Sequence, residues 1–369
     1  MDPLCYWIGF NRVRGIGPAR LRALLDYFGN VEEAWRAPEA ALREAGLDRR
    51  SLANLSEVRR TWDPDRELAR LNQAGVQVLT WEDQQYPQRL KMISDPPPVL
   101  FVSGTLCTAD DWAVAMVGTR SATVYGKEVS RQIAGDLAKA GVTIISGLAR
   151  GIDATAHKAA LDADGRTIAV LGSGLDIIYP WEHQRLSSEI KERGALISEY
   201  ALGTKPEANN FPPRNRIISG LSRAVVVVEA GERSGALITA DYAAEQGRDV
   251  YAVPGSIFHR SSQGTNHLIR EGARPLLGAN DILEQLNMAA AFEHAEARQM
   301  LPADETEALL LTQLGEEPVH VDDLGRAAKL PIALVSSTLA LMELKGLVRQ
   351  VSGMTYVRTR ETGPGYRVD

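Results

Sequence analysis

The residues with the clearest capacity for chemistry are arginines, hydroxyl residues and glycines that follow short apolar segments. Guanidinium groups bind phosphate through paired hydrogen bonds, hydroxyl groups donate to its oxygens, and glycine lets a backbone approach a ligand closely. We predict that these residues form one phosphate-binding site; they are Gly118, Thr119, Arg120, Ser146, Gly147, Arg150, Arg214, Asn215, Arg216, Ser234 and Gly235.

The segments that must position these residues alternate between strand and helix. Residues 225–228 are four consecutive valines, which is typical of a strand buried on both faces. We predict strands at 76–80, 99–102, 113–117, 142–146, 167–171, 195–198, 224–229, 250–253 and 274–277. We predict helices at 126–140, 152–162, 182–193, 215–221, 236–246, 265–271 and 280–286.

This alternation predicts an α/β fold with a doubly wound, Rossmann-like parallel sheet and right-handed crossovers. Ligands of such sheets bind outside the carboxyl ends of the strands, where the candidate residues lie. The Gly/Ser turn after residue 229 leads into a helix, whose open N–H groups favour an anion.

Motifs for catalysis are missing from the same segments. Gly172-Ser173-Gly174 lacks the third glycine of a dinucleotide fingerprint, and no Walker A loop is present. We interpret His157 as a buried or capping histidine and Asp153 as a helix-start residue. No spacing supports a catalytic triad, a pair of catalytic carboxylates, a metal site or a cofactor, so we expect none of them.

Composition limits the possible partners and location. The 369 residues carry 41 Lys and Arg against 47 Asp and Glu, a net charge of −6, so binding of a polyanion requires a local basic patch. Cys5 and Cys107 are far apart, which predicts neither a structural disulfide nor a zinc site and is consistent with a reducing cytoplasm. We expect no signal peptide and no transmembrane helix.

Two smaller regions flank the predicted sheet, which we place at 63–286. Residues 1–62 are predicted to be an all-helical (SAM-like) domain, in which the turn with Gly15, Gly17 and Arg20 resembles a helix-hairpin-helix motif. The turn either contacts duplex DNA or only allows the two helices that it joins to pack together. Residues 287–302 are predicted to be a linker, and 303–360 resemble a winged-helix domain. Its third helix lacks Lys and Arg, which favours contact with a protein over reading of DNA.

The longer motifs resemble one family. GTR at 118–120, SGLARGIDATAH at 146–157, TIAVLGSGLDIIYP at 167–180, FPPRNRIISGLS at 211–222, RSGALITA at 233–240 and GRDVYAVPG at 247–255 are similar to those of the DNA-processing protein A (DprA/Smf) family. The resemblance covers roughly residues 80 to 285. Ala201-Leu202 stands where the family often has two prolines, a departure that affects only a local loop.

The resemblance implies a protein without chemistry of its own. It would bind single-stranded DNA, commonly as a homodimer, and help load the RecA recombinase during natural transformation or homologous recombination. Arg120 would contact phosphate beside the backbone of Gly118 and Thr119. The FPPRNR loop would line the groove with Phe211, Arg214 and Arg216, where the aromatic ring stacks on a base.

An alternative from another functional class is a nucleotide-processing phosphoribohydrolase of the cytokinin-activating type. That family shares the Rossmann-like core and a Gly-rich turn after a strand, and it carries a glutamate on the following helix. In this chain no glutamate follows on that helix until Glu245. The hydrolase interpretation therefore lacks an acid that could activate water or stabilise an oxocarbenium centre.

Overall fold

The computed structural model describes residues 2–285, 305–314, 318–344 and 348–358. The chain divides into two compact units, Met1–Ile282 and Leu283–Asp369. The predicted linker at 287–302 lies outside the described residues.

A sheet of nine strands forms the centre of the first unit in the described ranges. The strands, labelled β1 to β9, are Gln77–Thr80, Val99–Gly104, Ala113–Val117, Thr143–Ser146, Thr167–Val170, Ala195–Ser198, Ala224–Val227, Asp249–Ala252 and Arg274–Pro275. Their order across the sheet is β1-β2-β6-β5-β4-β3-β7-β8-β9. Strands β3 to β9 are parallel, whereas β1 pairs antiparallel with β2, and β2 antiparallel with β6. The predicted doubly wound sheet is confirmed, with an antiparallel extension at one edge.

The helices between residues 2 and 285 are labelled α1 to α14 in chain order, and the last of them crosses the boundary between the two units. They are Pro3–Asn11, Pro18–Phe28, Val31–Arg36, Glu39–Glu44, Arg49–Thr61, Pro64–Ala74, Gln88–Lys91, Val124–Lys139, Ile152–Asp162, Gln184–Arg193, Phe211–Gly220, Gly235–Glu245, Gln263–Arg270 and Ala279–Gln285. Short 3₁₀ helices occur at Thr108–Asp111, Trp181–His183, Ala208–Asn210 and Arg260–Ser262.

The strand order creates a switch point between β3 and β7. From β3 the chain adds β4, β5 and β6 on one side, then returns to add β7, β8 and β9 on the other. The two strands are in register at Val117 and Val227, so the residues that follow them lie side by side. Beyond that register the Thr119 N–H donates to the Glu229 carbonyl oxygen at 2.8 Å. This arrangement leaves a crevice for a ligand at the carboxyl ends.

The N-terminal region is helical, as predicted, and it shares a hydrophobic core with the sheet. Trp7 of α1 packs edge-to-face on Trp81, just after β1, with ring centroids 5.8 Å apart. The structure therefore has one compact unit where we placed two domains, and a boundary at residue 62 stays a prediction. Helix α6 was not predicted, although Asp63 caps it, Pro64 starts it and Gly75 ends it with left-handed backbone.

The second unit has the predicted winged-helix elements. Its helices are Glu305–Gln313, Val321–Ala328 and Ile332–Leu344, and its strands are Val319–His320, Val348–Ser352 and Thr355–Arg358. The three strands form an antiparallel sheet. Sequence reasoning missed Val319–His320 because a two-residue strand carries no periodic signal. Leu310, Leu324, Val335 and Leu339 form a small core with no exposed surface.

Close packing between α8 and the strand end of β7 depends on one glycine. The Glu229 side chain is 2 % exposed and accepts hydrogen bonds from the N–H and the hydroxyl group of Thr123, at 2.9 and 2.6 Å. A Cβ atom at Gly126 would lie 2.2 Å from the Glu229 carboxylate. Glu229 therefore fixes the start of α8 through its hydrogen bonds to Thr123. Its side chain lies so close to the helix that no residue larger than glycine fits at position 126.

We expect Gly126→Ala to lower the free energy of unfolding by about 1–3 kcal/mol, since the added methyl group must displace a hydrogen-bonded carboxylate. The matched control is Gly135→Ala in the same helix, where a Cβ would have its nearest neighbour 3.9 Å away. That substitution should be neutral or stabilising by up to about 1 kcal/mol. Urea unfolding of both variants measures the difference, and equal effects would contradict the packing argument.

Candidate nucleic-acid interface

A cleft lies at the carboxyl ends of β3 and β7, at the switch point. Its volume is about 810 Å³, and its lining includes Gly118, Thr119, Arg120, Phe211, Arg214, Asn215, Ser234 and Gly235. The structure thus brings together most residues of the predicted phosphate site. Tyr179 and Arg233 also line the cleft, and sequence reasoning missed both because each lies in a loop without a periodic pattern.

An aromatic ring stands at the centre of the cationic part of the cleft. The guanidinium carbons of Arg120 and Arg214 lie 5.5 and 5.8 Å from the centroid of Phe211, and the Tyr179 ring lies 5.8 Å away. Gly172 makes room for this ring, since a Cβ there would approach it to 2.8 Å. The cleft therefore presents aromatic surface beside two positive charges.

Arg120 and Arg214 differ in their freedom to bind a ligand. Arg120 is exposed and makes no salt bridge within the described residues. Arg214 is 5 % exposed, and its guanidinium donates to the carbonyl oxygens of Gly147, at 2.9 Å, and Val170. Burial lowers the pKa of Arg214 to about 10, against the opposing effect of Asp153. Arg120 thus has its charge free of carboxylate partners within the described residues, and Arg214 holds the strand ends together.

The loop after β4 is fastened by Asp153, a residue that we had interpreted only as a helix-start residue. One carboxylate oxygen of Asp153 accepts from the backbone N–H groups of Gly147 and Ala149, at 3.1 and 3.4 Å. Burial raises the pKa of this carboxyl group, while Arg214 and the two N–H groups oppose the rise. Asp153 therefore shapes the floor of the cleft.

Arg216 is not among the residues that line the cleft, so its expected place in the groove stays a prediction. Its guanidinium donates to both carboxylate oxygens of Glu199 at 2.8 Å and to the Asp95 carboxylate at 3.1 Å. Burial disfavours its charged form, yet Glu199 and Asp95 raise its pKa above the ordinary value. The cause is helical backbone: the FPPRNR segment forms the start of α11, not a loop. Residues two apart on a helix point about 200° apart, so Arg214 and Arg216 face opposite sides.

Ser146 and Arg150 are also engaged with protein groups. The Ser146 hydroxyl group is buried and donates to the Met116 carbonyl oxygen at 2.6 Å. Arg150 is exposed and forms a two-pronged ion pair with Glu182, at 2.6 and 2.8 Å. It lines a small pocket of about 30 Å³ that adjoins the cleft and shares Arg120 and Phe211 with it. Glu182 therefore neutralises part of the positive charge that Arg150 brings to this pocket.

The start of α12 closes the other side of the cleft. The Ser234 side chain accepts from the Ala236 N–H at 3.3 Å, and the Asn215 side chain donates to the Gly235 carbonyl oxygen at 3.2 Å. A Cβ at Gly235 would meet no atom within 4 Å, so the helix start is open on this side. Partial positive charge at the N-terminus of an 11-residue helix adds to that of the arginines.

The N-terminal turn uses its arginine internally. Arg20 donates to the Gly15 carbonyl oxygen at 2.7 Å, to the Ser51 hydroxyl oxygen at 2.6 Å and to the Asp48 carboxylate at 2.6 Å. Gly15 has a positive φ of 94°, which the tight turn requires, and Gly17 precedes Pro18 at the start of α2. These contacts favour a packing role for Arg20, and contact with duplex DNA through Gly15, Gly17 or Arg20 stays a prediction.

His157 is fully buried behind the cleft. Its Nδ1 atom lies 2.6 Å from the Thr167 hydroxyl oxygen, which itself donates to the Ile144 carbonyl oxygen at 2.7 Å. The imidazole must therefore donate from Nδ1, and Nε2 is left buried without a partner in the described structure. Burial, followed by His183 and Arg214, lowers the pKa of His157 to about 3. The histidine stays neutral and structural.

Comparison with known proteins places this geometry in a family. Residues 77–287 match the family model of the DNA recombination-mediator protein A, and residues 294–354 match the model of the DprA winged helix domain. The chain belongs to the DNA recombination-mediator protein A family. The winged-helix resemblance and the DprA/Smf resemblance of the sequence are both confirmed.

Individual relatives extend the match over nearly the whole chain. The Smf protein of Synechocystis is 38 % identical over 96 % of this chain and 98 % of its own length. The DNA processing protein DprA of Bacillus subtilis is 44 % identical over 60 % of this chain and 75 % of its own length. The crystal structure of DprA from Streptococcus pneumoniae superposes with a TM-score of 0.67 at 37 % identity, covering 76 % of this chain and 97 % of that chain.

A solved structure of DNA processing protein A from Helicobacter pylori, described as showing a single-stranded DNA binding mode, has a TM-score of 0.52 and 32 % identity. It covers 57 % of this chain and 95 % of that chain.

Within the described ranges, no group of three or more His, Cys, Asp or Glu side chains could hold a metal ion. Each helix described is too short or too polar to cross a bilayer.

We expect Arg216→Ala to lower the free energy of unfolding by about 3–5 kcal/mol, because it leaves Glu199 largely buried without its partner. Arg185→Ala, which removes a 93 % exposed arginine paired with Glu189, should cost less than about 1 kcal/mol. Urea unfolding measures both. An unchanged stability together with weaker DNA binding would show that Arg216 contacts a ligand after all.

We expect the free energy of unfolding to fall by about 1.6 kcal/mol between pH 6.5 and pH 5 on account of His157 alone. Its folded pKa of about 3 lies below the unfolded value of about 6.5, so the unfolded chain binds more protons in this range. His157→Gln should lose this part of the dependence of the free energy of unfolding on pH. His259→Gln, which replaces an exposed histidine, should keep it. Urea midpoints at several pH values measure the slopes; identical slopes in both variants would refute the assignment.

Proposed function

We propose that the cleft at the carboxyl ends of β3 and β7 binds single-stranded DNA. The observation that carries the proposal is the position of Phe211, within 6 Å of two guanidinium groups and one further aromatic ring. Binding of single strands requires positive charge for the backbone and an aromatic surface for a base. Arg120 supplies an exposed charge for the phosphate, and the open start of α12 adds N–H groups.

The path of the strand follows from what lines the cleft. One phosphate binds between Arg120 and the backbone of Gly118 and Thr119, and the adjacent base stacks on Phe211 or Tyr179. Arg233 extends the positive lining across the switch point. Because no base edge meets a fixed hydrogen-bond pattern in this arrangement, binding is independent of sequence.

Family membership supports a role for this binding in recombination. We propose that the chain acts as a homodimer in the cytoplasm and helps load RecA onto the bound strand, without catalysing a reaction. The Helicobacter pylori relative, whose structure is described by its single-stranded DNA binding mode, supports the DNA-binding part of the proposal.

The phosphoribohydrolase alternative is less favoured by the cleft. Glu245 ends α12, at the opposite end from the Ser234 turn. Asp153 and Glu229 lie near the cleft, but their carboxylates accept hydrogen bonds from backbone or hydroxyl groups that they position. Both carboxylates thus serve to position the loop after β4 and the start of α8.

We expect Arg120→Ala to weaken binding of a labelled oligothymidine by about tenfold and to make the dependence of log K on log[salt] shallower by about 0.7, the share of one phosphate contact. Lys139→Ala is the control, because it removes an exposed positive charge at the far end of α8. Fluorescence anisotropy at several salt concentrations gives both quantities. The same variants, tested for RecA assembly on the strand, should show a mediator defect only for Arg120→Ala.

Two results would contradict the proposal. If the wild-type chain did not bind oligothymidine, or bound it with no dependence on salt, the cleft would not be an electrostatic DNA site. Release of a base from a nucleoside monophosphate would instead support the hydrolase. Normal DNA binding with no effect on RecA would remove only the loading step.

A further inference from the structure

Three arginines meet at the amino edge of the sheet, opposite the cleft. Arg223 directly precedes β7 and Arg248 directly precedes β8, and these two strands are hydrogen-bonded neighbours. Arg89 lies in α7, and its carbonyl oxygen accepts from the Arg248 guanidinium at 3.2 Å. The sheet register and this contact bring all three side chains into one place, which we name the amino-edge cluster.

The protein leaves most of the donors of this cluster unused. The Nε atoms of Arg89 and Arg248 are buried and have no hydrogen-bond partner in the described structure. Arg223 donates from Nε to the Asp111 carbonyl oxygen at 2.7 Å, and its guanidinium carbon lies 3.7 Å from the centroid of the Trp112 ring. None of the three forms a salt bridge with a described residue. Stacking and half-burial hold the guanidinium groups in place without neutralising them.

The charges of the cluster do not balance. The pKa of Arg248 is lowered mainly by burial and further by the charges of Arg89 and Arg223. The pKa of Arg223 is lowered mainly by burial and further by the charge of Arg89. Asp111 is the one carboxylate that favours the charged form of Arg89 or Arg223 among the described residues, and it is exposed. Three positive charges against one negative charge leave an excess of two. Arginine stays protonated, so this excess of positive charge persists at neutral pH and favours a bound anion.

We propose that Arg89, Arg223 and Arg248 form a second phosphate site, which binds a phosphate dianion. Guanidinium forks fit the oxygens of phosphate through paired hydrogen bonds. A phosphomonoester carries about −1.5 to −2 charges at pH 7 and so matches the excess of two, whereas a backbone phosphodiester or a single carboxylate carries −1. The sources of this group are inorganic phosphate, a nucleotide, or the 5′-phosphate end of a DNA strand. The site is separate from the cleft, and it does not depend on the proposed function.

The first test is thermal unfolding of the full chain with and without inorganic phosphate at constant ionic strength. Saturating phosphate should raise the Tm of the wild type by about 2–4 °C. Arg89→Gln should lose this rise, and without phosphate it should melt no lower than the wild type because like-charge repulsion is relieved. The control Arg185→Gln removes an exposed arginine of α10 and should keep the full rise. Equal rises in all three proteins would overturn the proposal.

A second variant guards against a folding defect. Arg223→Lys keeps the positive charge and removes the planar guanidinium group, so phosphate should raise its Tm by less than it raises the Tm of the wild type. Calorimetric titration with inorganic phosphate gives the affinity directly for each folded protein. An unchanged affinity in Arg223→Lys and Arg89→Gln would place any bound phosphate elsewhere.

Oligonucleotides separate the sources of the phosphate. Oligothymidine with a 5′-phosphate and the same strand with a 5′-hydroxyl group occupy the cleft equally, so a difference between them reports the cluster. A preference of the wild type for the 5′-phosphate, lost in Arg89→Gln, assigns the site to a strand end. Equal binding together with a rise in Tm from deoxythymidine monophosphate assigns it to a free nucleotide. Stabilisation by an acidic peptide but not by any phosphate would overturn the proposal.

Discussion

The buried side chain of Arg214 is the interaction on which the rest of the cleft depends. It reaches from α11 to the carbonyl oxygens that follow β4 and end β5, and it approaches so closely that a Cβ at Gly147 would meet it at 2.7 Å. Burying a guanidinium group is costly unless its donors are satisfied. Here the carbonyl oxygens and the Asn215 side-chain oxygen accept from its donors, and the charge of Asp153 opposes the effect of burial on its pKa. The loop after β4, the start of α9 and the ring of Phe211 are consequently held in one fixed arrangement.

In this arrangement the arginines of the region differ in role: one is exposed to solvent in the cleft, and the others hold protein segments together. Arg120 remains exposed above Phe211, whereas Arg214 and Arg216 use their charges to fix strand ends and loops. Preorganised positive charge and a fixed aromatic ring lower the entropic cost of holding a flexible strand. The proposed binding of a polyanion by an acidic chain is consistent with this arrangement, because Arg120 lies exposed at the switch point while Asp153 and Glu229 accept hydrogen bonds from protein groups there.

The amino edge of the same sheet differs from the carboxyl edge in how its charges are paired. At the carboxyl edge buried charges have protein partners, such as Glu199 for Arg216. The amino-edge cluster has three arginines and a single exposed carboxylate, with two buried Nε atoms unpaired. Buried donors in native proteins are normally satisfied, so the unpaired Nε atoms of Arg89 and Arg248 are consistent with the proposed anion site.

The sequence alone determined the alternation of strands and helices, the order of elements in the winged helix and the family, because hydrophobic periodicity and long motifs are local properties of the chain. It also identified Gly118, Thr119, Arg120, Phe211 and Gly235 as neighbours, since parallel strands bring their carboxyl ends to one edge. Only the tertiary structure decided that Arg214 faces the cleft and Arg216 faces Glu199, because that choice depends on where α11 begins. The roles of Asp153 and Glu229, and the convergence of Arg89, Arg223 and Arg248, depend in the same way on contacts between residues distant in the chain, which no local pattern records.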